Sequence, residues 1–452
     1  MSILCKEGYL IPKTKSNIEF INSIKKELTV KPYQQCAFVK DENTEFKIYQ
    51  ENDEYLCIPK YYGLNTIGTP SDNKELIGMN IDFKFKGTLR PLQQEIVKEV
   101  IPYLEQKDGG ILCLPCAAGK TVLALYLASI FKVKTLIIVH KTFLLNQWKE
   151  RAEEFTDAKI GIIQQNKIDV EGKDIVLGML QSIAKDKYDD NIFDDFGLVI
   201  FDEAHHAPSK YFSRALPIIA AKKTIGLSAT PKRSDRLEKV LYWYFGDIMY
   251  QIETKKNETV LVNIVYYNTN DPKFKEYKMY TGDINRPKTI NKIVELEQRN
   301  KYIISLLLEV LNEKGRKVII LSDRVNHLTL LKTLLDVNNI TSDYYIGGMK
   351  QEKLKQAETA QVIFATYSMA SEALDIPDLN TLFMVTSRRE VEQSVGRILR
   401  KINPNIRPLI YDFTDGLTVF INQGYNRKKF YKKMGFEIKI TNYNDMQNNL
   451  NK

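Results

Sequence analysis

Three short stretches of this chain combine residue types and spacings that could do chemistry. The first is CLPCAAGKT, residues 113–121, which ends in Gly119-Lys120-Thr121 between the apolar run GILCL and the helical pattern KTVLALYLASIF. Backbone N–H groups at a helix start attract anions, and the helix dipole adds to that attraction. A lysine there can reach the terminal phosphates of a nucleotide, and a threonine hydroxyl can ligate Mg²⁺. The second is LVIFDEAHH, in which four apolar residues run into Asp202-Glu203. Asp202 is placed to hold Mg²⁺ through water, and Glu203 to orient an attacking water. The third is EQSVGRILR, where Gln393, Arg397 and Arg400 are spaced to share one helix face. Two arginines there could stabilise charge developing on a transferring phosphoryl group. The same GKT stretch also contains Cys113 and Cys116 in C-x-x-C spacing. No second pair completes a metal site, so Cys113 reads as apolar filler of a buried strand.

These groups need a scaffold, and the chain is long enough to supply one. Its 452 residues exceed one ordinary core and suggest two or three domains. A composition of 44% hydrophobic and 27% charged residues is globular. No apolar run reaches the roughly 18 residues that would suggest a membrane span. The N-terminus lacks a signal-peptide pattern, and five cysteines, three of them scattered (Cys5, Cys36 and Cys57), make no disulfide framework. A soluble intracellular chain is expected. The net charge of +9 favours polyanionic partners. The four histidines, His140, His205, His206 and His327, show no zinc spacing with cysteine.

Periodicity assigns the elements. Residues 1–85 read as a small α+β domain, with a helix in NIEFINSIKKEL, strands in FKIYQ and EYLCIP, and a surface loop at YYGLNTIGTPSDN. From 86 to 252, the runs GILCL, TLIIVH, DIVLG, LVIFD and TIGLS read as buried parallel strands alternating with helices. From 253 to 440 a second series follows: KVIILS, SDYYIG, QVIFAT, TLFMVT and PLIYDF. Its opening, ETKKNETVLVNIVYY onward, reads as a linker with entry strands, and 441–452 as a polar, frayed tail. The fold class is therefore α/β: two tandem doubly wound parallel-sheet domains behind a small α+β domain.

The ordered set of motifs resembles the superfamily 2 helicases, over nearly all of residues 85–435. That resemblance implies two RecA-like domains, ATP and Mg²⁺ as cofactors, and DNA as partner, single-stranded or branched. LRPLQQEI resembles the adenine-reading segment, with Arg90 and Gln93 at the base. Ala118, Gly119, Lys120 and Thr121 fall in motif I, and Asp202 and Glu203 in motif II of DEAH type. Ser228 and Thr230 of SAT form motif III and, with His205, would couple the nucleotide and nucleic-acid sites. Asp375 of motif V and Gln393 of motif VI would complete the nucleotide contacts, with Arg397 and Arg400 as the finger arginines and His205 bonded towards Gln393. Nucleic acid is expected on Lys141 and Gln147 of motif Ia, Gln181 and Ser182 of motif Ib, and Thr366 of motif V. Trp148 and Trp243 read as core rather than as stacking platforms.

Within the superfamily, LPCAAGKT is similar to the XPB-like group, which includes phage UvsW-type and large-DNA-virus helicases. Ala117 and Ala373 stand where relatives often carry glycine, and Arg233-Ser234-Asp235 replaces the Arg-Glu-Asp of XPB proper. The resemblance implies an ATP-dependent DNA helicase or translocase, monomeric, working with transcription or repair machinery. Three alternatives stay open: an RNA helicase, the motor half of a type III restriction-like enzyme, and a non-hydrolysing nucleic-acid-binding scaffold.

Overall fold

The computed structural model describes residues 1–33, 45–115, 118–185, 188–219, 221–229, 233, 235–252, 259–372, 376–389, 391–399 and 405–443. For Asp190, Ser371, Glu372, Gln393 and Arg397 only the backbone is described. The chain divides into two compact units, Met1–Ile252 and Glu253–Lys452.

In the first unit a small sheet joins five strands: β1 (Ile3–Cys5), β2 (Gly8–Pro12), β5 (Gln50–Glu51), β6 (Tyr55–Ile58) and β7 (Asp72–Asn73), in the order β5-β6-β2-β1-β7. The two-residue strands β3 (Thr29–Val30) and β4 (Phe46–Lys47) form a separate pair. The expected FKIYQ strand is thus split between two sheets. The expected helix is present as Ile18–Glu27.

YYGLNTIGTPSDN departs from its reading as a surface loop. Lys60–Thr66 is helical, with Tyr61, Tyr62 and Gly63 buried. Tertiary packing overrides the turn-forming composition here. The helix lies on the helix Glu238–Phe245, whose Val240 shares a core with Tyr9, Ile21, Leu56 and Tyr62. The N-terminal segment is therefore welded to the larger α/β body. Gly63 is required by close approach, because a Cβ there would lie 2.3 Å from Cγ of the buried Tyr9. Gly63→Ala should destabilise the first unit by about 1–3 kcal/mol through overpacking, read as a lower Tm.

The α/β body carries β8 (Gly109–Cys113), β9 (Thr135–Val139), β10 (Ile160–Gln164), β11 (Lys167–Asp169), β12 (Ile175–Met179), β13 (Leu198–Phe201), β14 (Lys223–Ser228) and β15 (Ile248–Gln251). Their order is β11-β10-β12-β9-β13-β14-β8-β15, parallel except for the β10–β11 hairpin. β8, β9 and β12 are buried at every position, as two-sided coverage by helices demands. One face packs on the helices Pro91–Lys107, Lys120–Phe131 and Thr142–Phe155, and the other on Leu216, Leu241 and Phe245.

The second unit is a seven-stranded, all-parallel sheet. Its strands are β16 (Leu261–Tyr267), β17 (Val318–Ser322), β18 (Ser342–Tyr345), β19 (Val362–Thr366), β20 (Thr381–Met384), β21 (Leu409–Asp415) and β22 (Glu437–Asn442). The order is β18-β19-β17-β20-β21-β16-β22. The segment read as linker with entry strands supplies one strand, β16, which lies inside the sheet, paired to β21 and β22. The reading of 441 onward as a frayed tail is corrected for its first three residues: Thr441 and Asn442 complete β22, and Tyr443 is buried against Tyr267, with ring centroids 4.6 Å apart. Pairing to β16 orders this polar strand, a long-range effect that local composition does not carry. No helix among the described residues is long and apolar enough to cross a membrane.

Candidate functional site

The parallel sheet of the first unit brings the chemistry-bearing residues to one edge. β8 ends in the loop before Lys120, β13 ends at Asp202-Glu203, and β14, lying between them, ends at Ser228. Register pairs Cys113 with Ser228 and Phe201 with Gly226, so all three strand tips open on the same side. In open α/β sheets, ligands bind outside the carboxyl ends of the strands.

Gly119 is the N-cap of the helix Lys120–Phe131, with φ of 78°. That left-handed turn favours glycine, and a Cβ would also lie 2.4 Å from Nε2 of Gln93. Lys120 Nζ reaches Glu203 Oε1 at 3.4 Å, and both side chains are mostly buried. Ala118 and Thr121 flank them, half-buried. Glu203 itself has φ of 50°. A left-handed conformation in a non-glycine residue costs free energy, and such outliers cluster at functional sites. Its Oε2 is buried without a hydrogen bond among the described residues, 3.3 Å from His205 Nδ1.

The two acids differ electrostatically. Burial pushes the Asp202 carboxyl above its usual range, and the neighbouring Glu203 charge adds to this. Burial acts the same way on Glu203, but Lys120, His205 and His206 outweigh it and hold Glu203 below its usual range. Asp202 is thus short of positive charge, and Glu203 already has it. The Asp202 carboxylate and the hydroxyl of Thr121, at the start of the helix Lys120–Phe131, are oxygen donors of the kind Mg²⁺, a hard cation, takes.

Trp148 is a participant that sequence reading placed only in the core. It is 2% exposed, as expected of core, but its Nε1 also donates to Asp202 Oδ2 at 2.8 Å. The backbone N–H of Glu203 donates to Oδ1 at 3.0 Å, so both carboxylate oxygens are aimed. The QW dipeptide of motif Ia was the available signal, but nothing local says that an indole will meet a strand tip 54 residues on. Removing a hydrogen bond to a charged group costs about 1.5–3 kcal/mol. Trp148→Phe should therefore lower ATP turnover by about 10- to 100-fold and raise the Mg²⁺ concentration needed for half-activity. An unchanged Mg²⁺ titration would reduce Trp148 to packing.

The remaining expected residues are placed as follows. Gln93 is buried and accepts from the backbone N–H of Arg90 at 2.9 Å, capping the helix Pro91–Lys107. Its Nε2 donates to the carbonyls of Ala118 and Gly119 at 3.3 and 3.4 Å, which braces the phosphate loop. His205 Nδ1 lies 3.2 Å from Ser228 Oγ, and burial holds the imidazole pKa below its usual value. His205 thus joins motif II to motif III within the first unit. Arg233 pairs with Asp235 through Nε–Oδ1 at 2.8 Å and also donates to the His205 carbonyl. The first and last residues of Arg-Ser-Asp therefore support the motif II loop.

On the nucleic-acid side, Lys141 is the N-cap of the helix Thr142–Phe155, which carries Gln147. Gln181 donates to the His140 carbonyl, tying the tips of β9 and β12. Ser182 Oγ accepts from Gln165 N at 2.9 Å. Thr366 ends β19 of the second unit, 3.3 Å from Ser368 Oγ. Gln393 and Arg397 lie on the helix Glu392–Ile398. Cys116, Ala117, Thr230, Ser234, Ala373, Asp375 and Arg400 lie outside the described residues. No group of three or more metal-ligating side chains occurs among the described residues.

The chain is similar to known proteins. Residues 86–233 match the family described as type III restriction enzyme, res subunit, and residues 298–401 match the helicase conserved C-terminal domain. A protein of Acanthamoeba polyphaga mimivirus, named as an ATP-dependent RNA helicase, is 37% identical over 448 residues, covering 95% of this chain and 85% of its own. The DNA 3'-5' translocase XPB2 of Sulfurisphaera tokodaii is 28% identical over 362 residues, covering 70% of this chain and 80% of its own. Among solved structures, the Hef helicase domain of Pyrococcus furiosus matches with TM-score 0.50 at 14% identity, over 76% of this chain and 99% of that one. That likeness concerns the fold.

Proposed function

This chain belongs to the superfamily 2 helicases of the XPB and viral type, and we propose that it is an ATP-dependent motor acting on DNA. One observation supports this most: Lys120, Asp202 and Glu203 follow the tips of β8 and β13, which open on the same side of the sheet, with Lys120 and Glu203 3.4 Å apart. Lys120 would bind the terminal phosphates at the helix N-terminus. Asp202 and Thr121 would hold Mg²⁺, which supplies charge neutralisation at those phosphates. Glu203, kept anionic by its neighbours, would orient the attacking water. Arg397 and Arg400 would stabilise the transferring phosphoryl group, and Asp375 and Gln393 would add nucleotide contacts. Arg90 and Gln93 would meet adenine, with the Gln93 amide exchanging a loop carbonyl for the base. Ser228 and His205, with Thr230, would couple hydrolysis to strand movement.

The strand would contact Lys141, Gln147, Gln181, Ser182 and Thr366 through its backbone, so binding should be salt-sensitive and largely sequence-independent. The DNA reading draws on the translocase relative. The mimivirus relative, named as an RNA helicase, favours RNA as the second reading. ATP turnover measured with single-stranded DNA, forked DNA and RNA of matched length separates them. Stimulation by DNA is expected, and stimulation by RNA alone would overturn the DNA assignment.

A further inference from the structure

A groove of about 880 Å³ runs between the N-terminal sheet and the surface around Tyr211–Ile218, wholly within the first unit. Basic side chains on its walls outnumber acidic ones five to two. Lys47, Lys185 and Arg214 are exposed, and none of the three is in an ion pair among the described residues. The acidic Glu45 is itself 3.8 Å from Lys31. Aromatic rings lie among these charges. Tyr49 sits under Lys47, with Nζ 5.5 Å from the ring centroid, and Tyr211 is 37% exposed.

The groove is continuous with the motif Ib contacts proposed above. Tyr211 donates to the Gln181 carbonyl at 3.2 Å, and Lys185 follows the short helix Leu180–Ile183 that carries Gln181 and Ser182. We propose that this groove binds the extension of a nucleic-acid single strand leaving motif Ib, with phosphates on Lys47, Lys185 and Arg214 and bases stacked on Tyr211 and Tyr49. Unpaired cations beside accessible rings are what a sequence-tolerant single-strand channel requires. An acidic peptide would use the cations but has no bases to stack. The inference rests on the reading of the chain as a nucleic-acid motor.

The test uses the full chain and oligothymidylates of about 8 and about 30 nucleotides, with oligouridylates run in parallel. The wild type should bind the longer oligomer more tightly. The triple variant K47E/K185E/R214E should lose about tenfold or more of that gain. Its slope of log affinity against log salt should fall by about 2, at roughly 0.7 per phosphate contact on a single strand. Tyr211→Ala should weaken binding of the long oligomer with the salt slope preserved. Melting temperature and nucleotide binding of the same preparations report folding. An unchanged length dependence in a folded triple variant overturns the groove, as does loss of polyglutamate binding alone. Failure of every oligomer to stimulate ATP turnover in the wild type would instead overturn the motor reading.

Discussion

Lys120→Ala is expected to lower nucleic-acid-stimulated ATP turnover by about 10²–10³-fold or more, the loss that follows removal of one preorganised charge-stabilising group. The lysine sits on the helix that opens at Gly119 and is 3.4 Å from Glu203. Its loss removes the cation that would meet the terminal phosphates and also uncovers the partly buried Glu203 carboxylate. Glu203→Gln keeps the size and shape of the side chain but removes its capacity to take a proton. Turnover should fall comparably, while ATP binding survives better than in Lys120→Ala. Strand binding should persist in both variants, because none of the residues assigned to the strand is altered. Stimulated phosphate release and strand binding, measured on the same preparations, check this. Continued turnover in both variants would mean the site is elsewhere.

The largest expected stability effect lies in the second unit, away from the nucleotide chemistry. Arg427 and Asp412 have side chains that are each 1% exposed, with Nη2–Oδ1 at 2.7 Å. Arg427 also donates to Ser387 Oγ, the Arg388 carbonyl and Thr414 Oγ1, and Tyr431 donates to Asp412 Oδ2 at 2.9 Å. Asp412→Asn would leave a buried guanidinium without its counter-charge. Breaking a buried pair on one side costs about 3–5 kcal/mol. Urea unfolding should show a lower midpoint for the second unit, with the first unit's transition unmoved. Arg427→Met/Asp412→Leu removes both charges and should recover much of the loss. A single variant that unfolds at the wild-type midpoint would show that Asp412 does not balance Arg427.

Much of the architecture was legible because it depends on local runs. GILCL, TLIIVH and LVIFD are too apolar to face water on either side, and each became a central parallel strand. The Gly119-Lys120-Thr121 loop and the Asp202-Glu203 pair announced themselves by following such runs. The helix Lys60–Thr66 did not, because its glycine and tyrosines look like a loop until Tyr9 and the helix Glu238–Phe245 cover them. β22 was hidden for a related reason, since it is polar and is ordered by its pairing to β16.

The sequence by itself determined which residue types stand at the strand ends and in what order, since period and composition are carried by neighbours a few positions apart. Tertiary structure decided their partners. It brought the Trp148 indole to Asp202, set Gln93 against the phosphate loop, turned His205 towards Ser228, and joined the N-terminal sheet to the motor's own core. Each of these pairs is separated by more than 20 residues. Such contacts arise only when long stretches of chain close on one another. Burial, charge balance and hydrogen-bond direction at the site are properties of that closure rather than of any local run.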